Sequence, residues 1–540
     1  MRERGIASDA DLGPFLNTPH PADDFERAVR TRLSYMFDAG AWVLLESAIA
    51  DLPADLRWLF ESDAVTIEQI AALHDALGVS TAADLVGAVE TQAIRKVPGL
   101  DARAEYAIAG ALFDLRAAIP RIPLGRALKM VEPVLAQLRA LEGVEWAAPV
   151  GSFRRGQDTV GDIELLAVAK DPLHALEEMS QLPGVAHTLQ RTGRRLYLII
   201  ERLQLGIRFP EHDKAGAALL HLTGSFPHLN ALRAVARERG GLLTADGYQP
   251  PGGAPIVAET EKKIYAALGL PFIPPEIRNG DGEVEAALAG TLPMLVSRTD
   301  IRGDLHMHTM WSDGHDSVEA MVARCVELGY QYMAITDHSP HSIASRTLSI
   351  DDVKRQAEEI AEARGRHPNI TILQGCEVDI LPDGKLDLPD RVLQHLDIVL
   401  ASLHERAGQG SAQLQRRYEQ AMRHPMVNII THPTNRMLPN RPGYDLDYDR
   451  LFALAVETGT ILEVDGAPAH LDMDGALARR AIAAGVTVSI DSDSHRAEYL
   501  ERQMILGVTT ARRGWVEARH VVNTRPIEEI RALIAAKRER

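Results

Sequence analysis

The feature that most constrains the fold lies between residues 304 and 495. It holds nine histidine, aspartate and glutamate residues, most of which follow or end a short apolar run. They are His306 and His308 in Asp-Leu-His-Met-His-Thr, Asp313 in Ser-Asp-Gly, His338 in Thr-Asp-His, and Glu377 in Gly-Cys-Glu-Val-Asp. His404 in Ser-Leu-His-Glu, His432 in Thr-His-Pro, and Asp493 with His495 in Asp-Ser-Asp-Ser-His complete the set. The apolar runs cover residues 332–336, 370–373, 397–403, 427–431 and 487–490, and segments of helical spacing at 317–328, 350–363, 448–457 and 475–484 lie between most of them. Short buried strands alternating with helices predict parallel β/α units. In such folds the loops after the strands gather at one mouth, so residues far apart in sequence converge there.

The residue types point to metal. Neutral imidazole and carboxylate are ligands for zinc, manganese and iron. Histidines at i and i+2 on a strand face the same side, which places His306 and His308 together. Nine ligands exceed the needs of one tetrahedral ion, so two or three ions sharing a bridging carboxylate are expected. Such sites serve in-line displacement at phosphate. Taken singly, Asp313-Gly314 is an ordinary turn and Thr431-His432-Pro433 an ordinary loop start. The repeated phasing with strand ends makes the joint reading the metal one.

With these motifs, the stretch resembles a PHP (polymerase and histidinol phosphatase) domain. The resemblance implies a distorted (β/α)7 barrel, a trinuclear centre of Mn, Zn or Fe, and phosphoester hydrolysis. It assigns His306, His308, Glu377 and Asp493 to one ion, and Asp313, His338 and His495 to a second. Glu377, His404 and His432 would hold a third, with Glu377 bridging. Family members often carry His where Asp313 stands, and Asp is the form seen in polymerase-linked members. Asp337 is a candidate catalytic-site residue that orients a ligand. Arg436, four residues after His432, and Arg441 are candidate phosphate contacts, or equally salt-bridge residues of the barrel rim.

The front half carries a second motif, Gly151-Ser-Phe-Arg-Arg-Gly-Gln-Asp-Thr-Val-Gly-Asp-Ile-Glu-Leu-Leu166. Gly-Ser opening a helix can hold phosphate on backbone N–H groups. Asp162 and Glu164 alternate on a strand and can face one divalent ion. The motif resembles the nucleotidyltransferase palm of family X DNA polymerases, and the likeness continues through residues 202–208, 217–225 and 260–276. A palm of this kind joined to a PHP domain is the layout of bacterial PolX-type proteins. Ser152, Arg155 and Gly224 fit the implied nucleotide site. Asp162 matches the first of three family carboxylates, Glu164 replaces the second, and Gly206 stands in place of the third. His221, Leu222 and Leu229 replace the family's paired aromatics and base-reading Asn. Mg binding and polymerisation by the palm are therefore expected to be weak or absent.

Residues 1–125 read as helical, with periodicity at 25–37, 65–77 and 81–89. Lys96-Val-Pro-Gly-Leu-Asp-Ala-Arg resembles a helix–hairpin–helix whose second glycine position is Asp101, a carboxylate facing where a DNA phosphate would sit. The expected organisation is a helical region at 1–125, palm and thumb at 126–285, a linker at 286–300 and the barrel at 301–540. A linker of that length implies modules in contact. The net charge of −17 argues against a broadly basic nucleic-acid coat. Two cysteines, Cys325 and Cys376, give no disulfide framework, and a reducing cytoplasm is the default. No apolar run has the length of a membrane span.

The preferred reading is a PolX-like DNA phosphodiesterase, a 3′–5′ exonuclease with abasic-site or 3′-end processing as related activities. DNA is the expected partner, a membrane is not, and a monomer is the default. Three alternatives remain: an active gap-filling polymerase, a small-molecule phosphatase with an inert front half, and a noncatalytic DNA-binding scaffold.

Overall fold

A computed structural model describes residues 56–539, apart from 57–58, 60–61, 63, 80–81, 119–120, 162, 184, 192 and 201–202. The helix expected at 25–37 and the carboxylate of Asp162 lie outside the described residues. The chain forms two compact units, residues 1–120 and 121–540.

In the first unit, helices Ile67–Leu77, Ala82–Glu90 and Ala102–Ala118 pack around Ile70, Leu73, Leu85, Ile94, Leu100 and Ile108. Thr66 and Gln69 form a capping box that starts the first helix. Before the third helix, Gly99 takes a left-handed φ of 84°, and Asp101 Oδ1 accepts from the N–H groups of Arg103 and Ala104, each at 2.9 Å. The first N–H groups of the third helix are therefore occupied by the chain's own carboxylate.

The second unit begins with a five-stranded sheet: β1 Val144–Pro149, β2 Ile163–Ala169, β3 Val185–Arg191, β4 Arg195–Ile200 and β5 Leu203–Arg208. Its order is β1-β2-β5-β4-β3, with β2 and β5 parallel and the other pairs antiparallel. The two-residue strand Ile122–Pro123 pairs with Thr159–Val160, so the sheet module takes in residues just before the expected boundary at 126. A helical thumb follows, with helices Ala215–Thr223, Phe226–Glu238 and Glu261–Ala267 packed around Leu232, Ile264, Tyr265 and Leu268. The stretch expected to link the modules is firmly held. Helix Glu283–Ala289 buries Val284 and Ala287, and Val296 N–H donates to Val516 O at 2.9 Å.

The remainder is a barrel of seven parallel strands in sequential order: β6 Gly303–Asp304, β7 Tyr332–Ile335, β8 Thr371–Asp379, β9 Ile398–Ser402, β10 Ile429–Ile430, β11 Ile461–Asp465 and β12 Val488–Asp491. Alternate residues serve two cores, as the period of two requires. Met333 and Val399 face the helices, whereas Tyr332, Ala334, Ile398 and Leu400 face the interior. Ile530 and Ile534 of the last helix, Ile527–Arg538, join the interior cluster. The seam between β6 and β12 is nearly closed. His308 N–H donates to Ser494 O at 2.9 Å. The Asn523 amide accepts from Ile490 N–H and donates to Gly303 O, both at 3.0 Å, standing in for missing ladder bonds.

Candidate metal centre

All nine expected ligands meet at the end of the barrel where the strands finish. The His306 and His308 Nε2 atoms lie 3.1 Å apart. Asp493 Oδ1 is 3.0 Å from His308 Nε2 and 3.6 Å from His306 Nε2, and Glu377 Oε2 is 3.5 and 3.4 Å from the same two atoms. Ligand atoms held at about 2.0–2.1 Å from a tetrahedral ion lie about 3.3 Å from one another, so this spacing fits a cation at the centre. Asp313 Oδ1 stands 3.5 Å from His338 Nε2 and 3.3 Å from His495 Nε2. Glu377 Oε1 stands 3.2 Å from His404 Nε2 and 2.9 Å from His432 Nε2.

Two histidines adjoin more than one group. His308 lies with Asp313, His338 and His495 as well as with His306 and Asp493, and its ring stacks on His338 and His495 with centroids 4.3 Å away in each case. His338 turns Nε2 toward Asp313 and Nδ1 toward Glu377 Oε2, at 2.9 Å. The clusters thus share members, with Glu377 at their centre. Glu377, nearly fully buried on β8, turns Oε2 toward His308 and Oε1 toward His432.

Hydrogen bonds behind the ligands fix which ring nitrogen is free to coordinate. His306 Nδ1–H donates to Glu463 Oε1 at 2.7 Å, and His404 Nδ1–H donates to Asp379 Oδ1 at 2.8 Å. Each leaves Nε2 facing the centre. Glu463 Oε2 also accepts from His432 N–H at 2.7 Å. Neither Glu463 nor Asp379 was singled out from the sequence. A signal was present, because the tripeptide Glu-Val-Asp occurs at 377–379 and again at 463–465.

The electrostatics are those of a site built for cations. Burial opposes the charges of Glu377 and Asp493, yet the surrounding imidazoles hold both carboxyls well below their usual range. Burial, then the neighbouring His338 and His495, pull His308 down to about 3, so its ring stays neutral and ready to coordinate. His404 is pushed up to about 10, burial being outweighed by Glu377 and Asp379.

Asp337 touches no ligand ring. Fully buried, it accepts from Thr309 N–H at 2.8 Å, Thr309 Oγ1 at 2.6 Å, Ser312 N–H at 3.1 Å and Gln356 Nε2 at 2.7 Å. It shapes the turn between His308 and Asp313. Of the two roles open to Arg436, the salt bridge is the one formed. Its guanidinium is nearly buried, with Nη1 donating to Asp158 Oδ2 at 2.7 Å and Nε to His470 O at 2.9 Å. Committed to these partners, it is a strut between modules and not a phosphate contact. Arg441 remains at the exposed rim, bonded to Asn435.

In the palm, Ser152 lies in the one-turn helix Gly151–Arg154 and Arg155 caps its end, where Arg155 Nη1 donates to Thr223 O, next to Gly224, at 2.7 Å. Burial and the positive Arg121, Arg513 and Arg278 pull Arg155 down to about 10. Glu164 is not poised for an ion. Its Oε1 accepts from Arg208 Nη2 at 2.6 Å and from Tyr197 Oη at 3.0 Å. A Cβ on Gly206 would lie 2.9 Å from Tyr197 Cε1, so the place of the third carboxylate is taken by an aromatic ring.

Ligand atoms spaced for cations at the mouth of a parallel barrel make this half of the chain a metal-dependent phosphoesterase of the PHP class. Residues 304–450 match the PHP domain, and residues 218–279 match the DNA polymerase beta thumb. Over 92% of its length the chain is 35% identical to the DNA polymerase/3'-5' exonuclease PolX of Bacillus subtilis, of which it covers 87%. The chain belongs to the PolX family. About a third of the chain, 36%, also resembles probable phosphatases of Syntrophotalea carbinolica (30% identical, 80% of that protein) and Caldanaerobacter subterraneus (31% identical, 75% of that protein).

Proposed function

We propose that the barrel hydrolyses DNA phosphodiester bonds, removing nucleotides in the 3′ to 5′ direction, with abasic-site or 3′-end processing as related activities, and that the palm does not polymerise. The observation that carries the reading is Glu377, whose oxygens face two groups of imidazoles and suit a carboxylate bridging ions. The nine residues would hold three divalent ions, of Mn, Zn or Fe, in the ligand grouping expected from the family. Such ions supply Lewis acidity, which activates water and neutralises charge on phosphate.

The chain's own residues do the rest. Glu463 and Asp379 keep the His306 and His404 rings in the coordinating tautomer. Asp337 holds the turn that presents Asp313. Arg441, on the rim, would meet a backbone phosphate. Ser152, Arg155 and Gly224 of the palm would take the nucleotide, with Arg155 bonded to Thr223 O beside Gly224, while the Arg208–Glu164 pair closes the ion site. Among the described residues no helix is long and apolar enough to cross a membrane. A cytoplasmic, monomeric protein acting on DNA is part of the same proposal.

The test is digestion of 3′-labelled and 5′-labelled DNA with Mn²⁺, beside an Asp493→Ala control. Early release of labelled mononucleotide from the 3′-labelled strand only, absent from the control, is the expected result. Hydrolysis of phosphomonoesters without DNA cleavage would favour the phosphatase reading that the shorter relatives suggest.

A further inference from the structure

Three non-glycine residues on two loops at the barrel mouth hold left-handed backbone: His432 at φ 28°, Asn435 at φ 48° and Leu471 at φ 45°. Such conformations are costly and persist only where the surroundings fix them. Arg436 ties the two loops together. Its Nε donates to His470 O at 2.9 Å and its Nη2 to Leu471 O, while its own carbonyl accepts from His470 Nδ1–H at 2.8 Å. The His470 ring in turn stacks on ligand His432, with centroids 5.6 Å apart and planes at 25°.

Arg436 is itself held from outside the barrel. Its Nη1 donates to Asp158 Oδ2 at 2.7 Å, and the other Asp158 oxygen accepts from Arg513. Asp158 sits in the palm loop that opens with Gly151-Ser. The packing around this link is close. A Cβ on Gly125 would lie 2.4 Å from Pro468 Cβ, and Leu471 with Leu506 completes the core of the palm sheet.

We propose that Asp158 of the palm is a positioning residue of the barrel's metal centre, holding ligand His432 in place through Arg436 and His470. The palm then forms one wall of the working site. This gives a sheet with Gly206 in place of a carboxylate a task that needs no polymerisation. The ion that depends on the palm is the one His404 and His432 would hold. The inference rests on reading the barrel as the working site, but not on DNA as its substrate.

The test uses full-length Asp158→Asn, which removes a charge at nearly constant shape, and Arg436→Lys as a second break in the same link. The comparison variant is Arg502→Ala, which cuts the separate Arg502–Glu132 pair, 3.1 Å, between the same modules. Two quantities are read: Mn²⁺ affinity by chelator competition, and hydrolysis of bis(p-nitrophenyl) phosphate, a diester that needs no DNA recognition. Both link variants should bind one ion about 10–100-fold more weakly. Their kcat should fall with KM little changed and recover in excess Mn²⁺, while Arg502→Ala behaves as wild type. Unchanged ion affinity in the folded link variants would overturn the proposal. So would an equal loss in Arg502→Ala, because that would make the effect one of general docking. If Asp158→Asn does not fold, Arg436→Lys carries the same readouts. A wild-type protein that cleaves no DNA but shows the ion-affinity loss in its link variants would count against the DNA reading and support this inference.

Discussion

The two oxygens of Glu377 face ring nitrogens of His306, His308, His338, His404 and His432 at 2.9–3.5 Å. Behind that hub, Glu463 holds both the His306 ring and the His432 backbone. Glu463→Gln should therefore weaken Mn²⁺ binding by about 10–100-fold, as titration calorimetry would show. Wild-type affinity would mean that Thr431, which also meets His306 Nδ1 at 2.9 Å, suffices to orient the ring. The nine ligands were legible in the sequence because most of them follow or end an apolar run with a side chain that a core does not need, and His306 and His308 share one strand face. Glu463 was not, because strand 461–465 carries two carboxylates in five residues and does not read as apolar. For Arg436 the sequence leaves phosphate contact and salt bridge both open, for a different reason. Its spacing from His432 is local information, whereas its partner Asp158 lies 278 positions away. At the palm, Gly206→Asp with Glu164→Asp restores the family's carboxylates on paper. Primer extension should nevertheless stay at background, because Tyr197 fills the space and Arg208 remains to neutralise the site. Clear extension by that double variant would show that the Tyr197 ring yields.

Strand ends and the turns after them set the geometry at the next scale. Gly314 follows ligand Asp313, and a Cβ there would lie 2.6 Å from His308 carbonyl carbon and oxygen. Gly314→Ala should push the Asp313 turn off the His308 strand, losing the ion near Asp313, His338 and His495 while the barrel still folds. Metal analysis together with far-ultraviolet circular dichroism checks both halves, and full metal content in Gly314→Ala would contradict it. Helix positions were read well from spacing. The segments expected at 317–328 and 448–457 appear as Val318–Glu327 and Tyr448–Thr458, since Ser317 and Asp447 cap them with side-chain oxygens. The apolar run that marks β8 ends at Leu373, because Gln374 looks like an exit from the core. It remains buried by donating to Val353 O at 2.8 Å, and the strand runs on to Asp379.

Across the whole molecule, the layout of palm, thumb and barrel was legible from motifs, but the contacts that weld the modules were not, since they join residues without local pattern. The thumb carries one such buried device. His228, fully buried, donates from Nδ1 to Glu283 at 2.6 Å and accepts at Nε2 from the Tyr265 hydroxyl at 2.9 Å. Burial outweighs Glu283 and lowers its pKa below the usual histidine value. The unfolded chain therefore takes up the proton first. The stabilisation is present above the unfolded value and is lost as pH falls toward the lowered folded one. Melting temperature should drop more steeply from about pH 7 to about pH 5 in wild type than in His228→Gln, and equal slopes would contradict this. The central claim, a barrel that shortens DNA beside a palm that does not extend it, is tested most directly on one gel. A 5′-labelled primer on its template is incubated with Mn²⁺ and all four deoxynucleoside triphosphates. The expected result is a ladder of progressively shorter products in wild type and an unchanged primer in Asp493→Ala. Products longer than the primer, in either protein, would contradict the account.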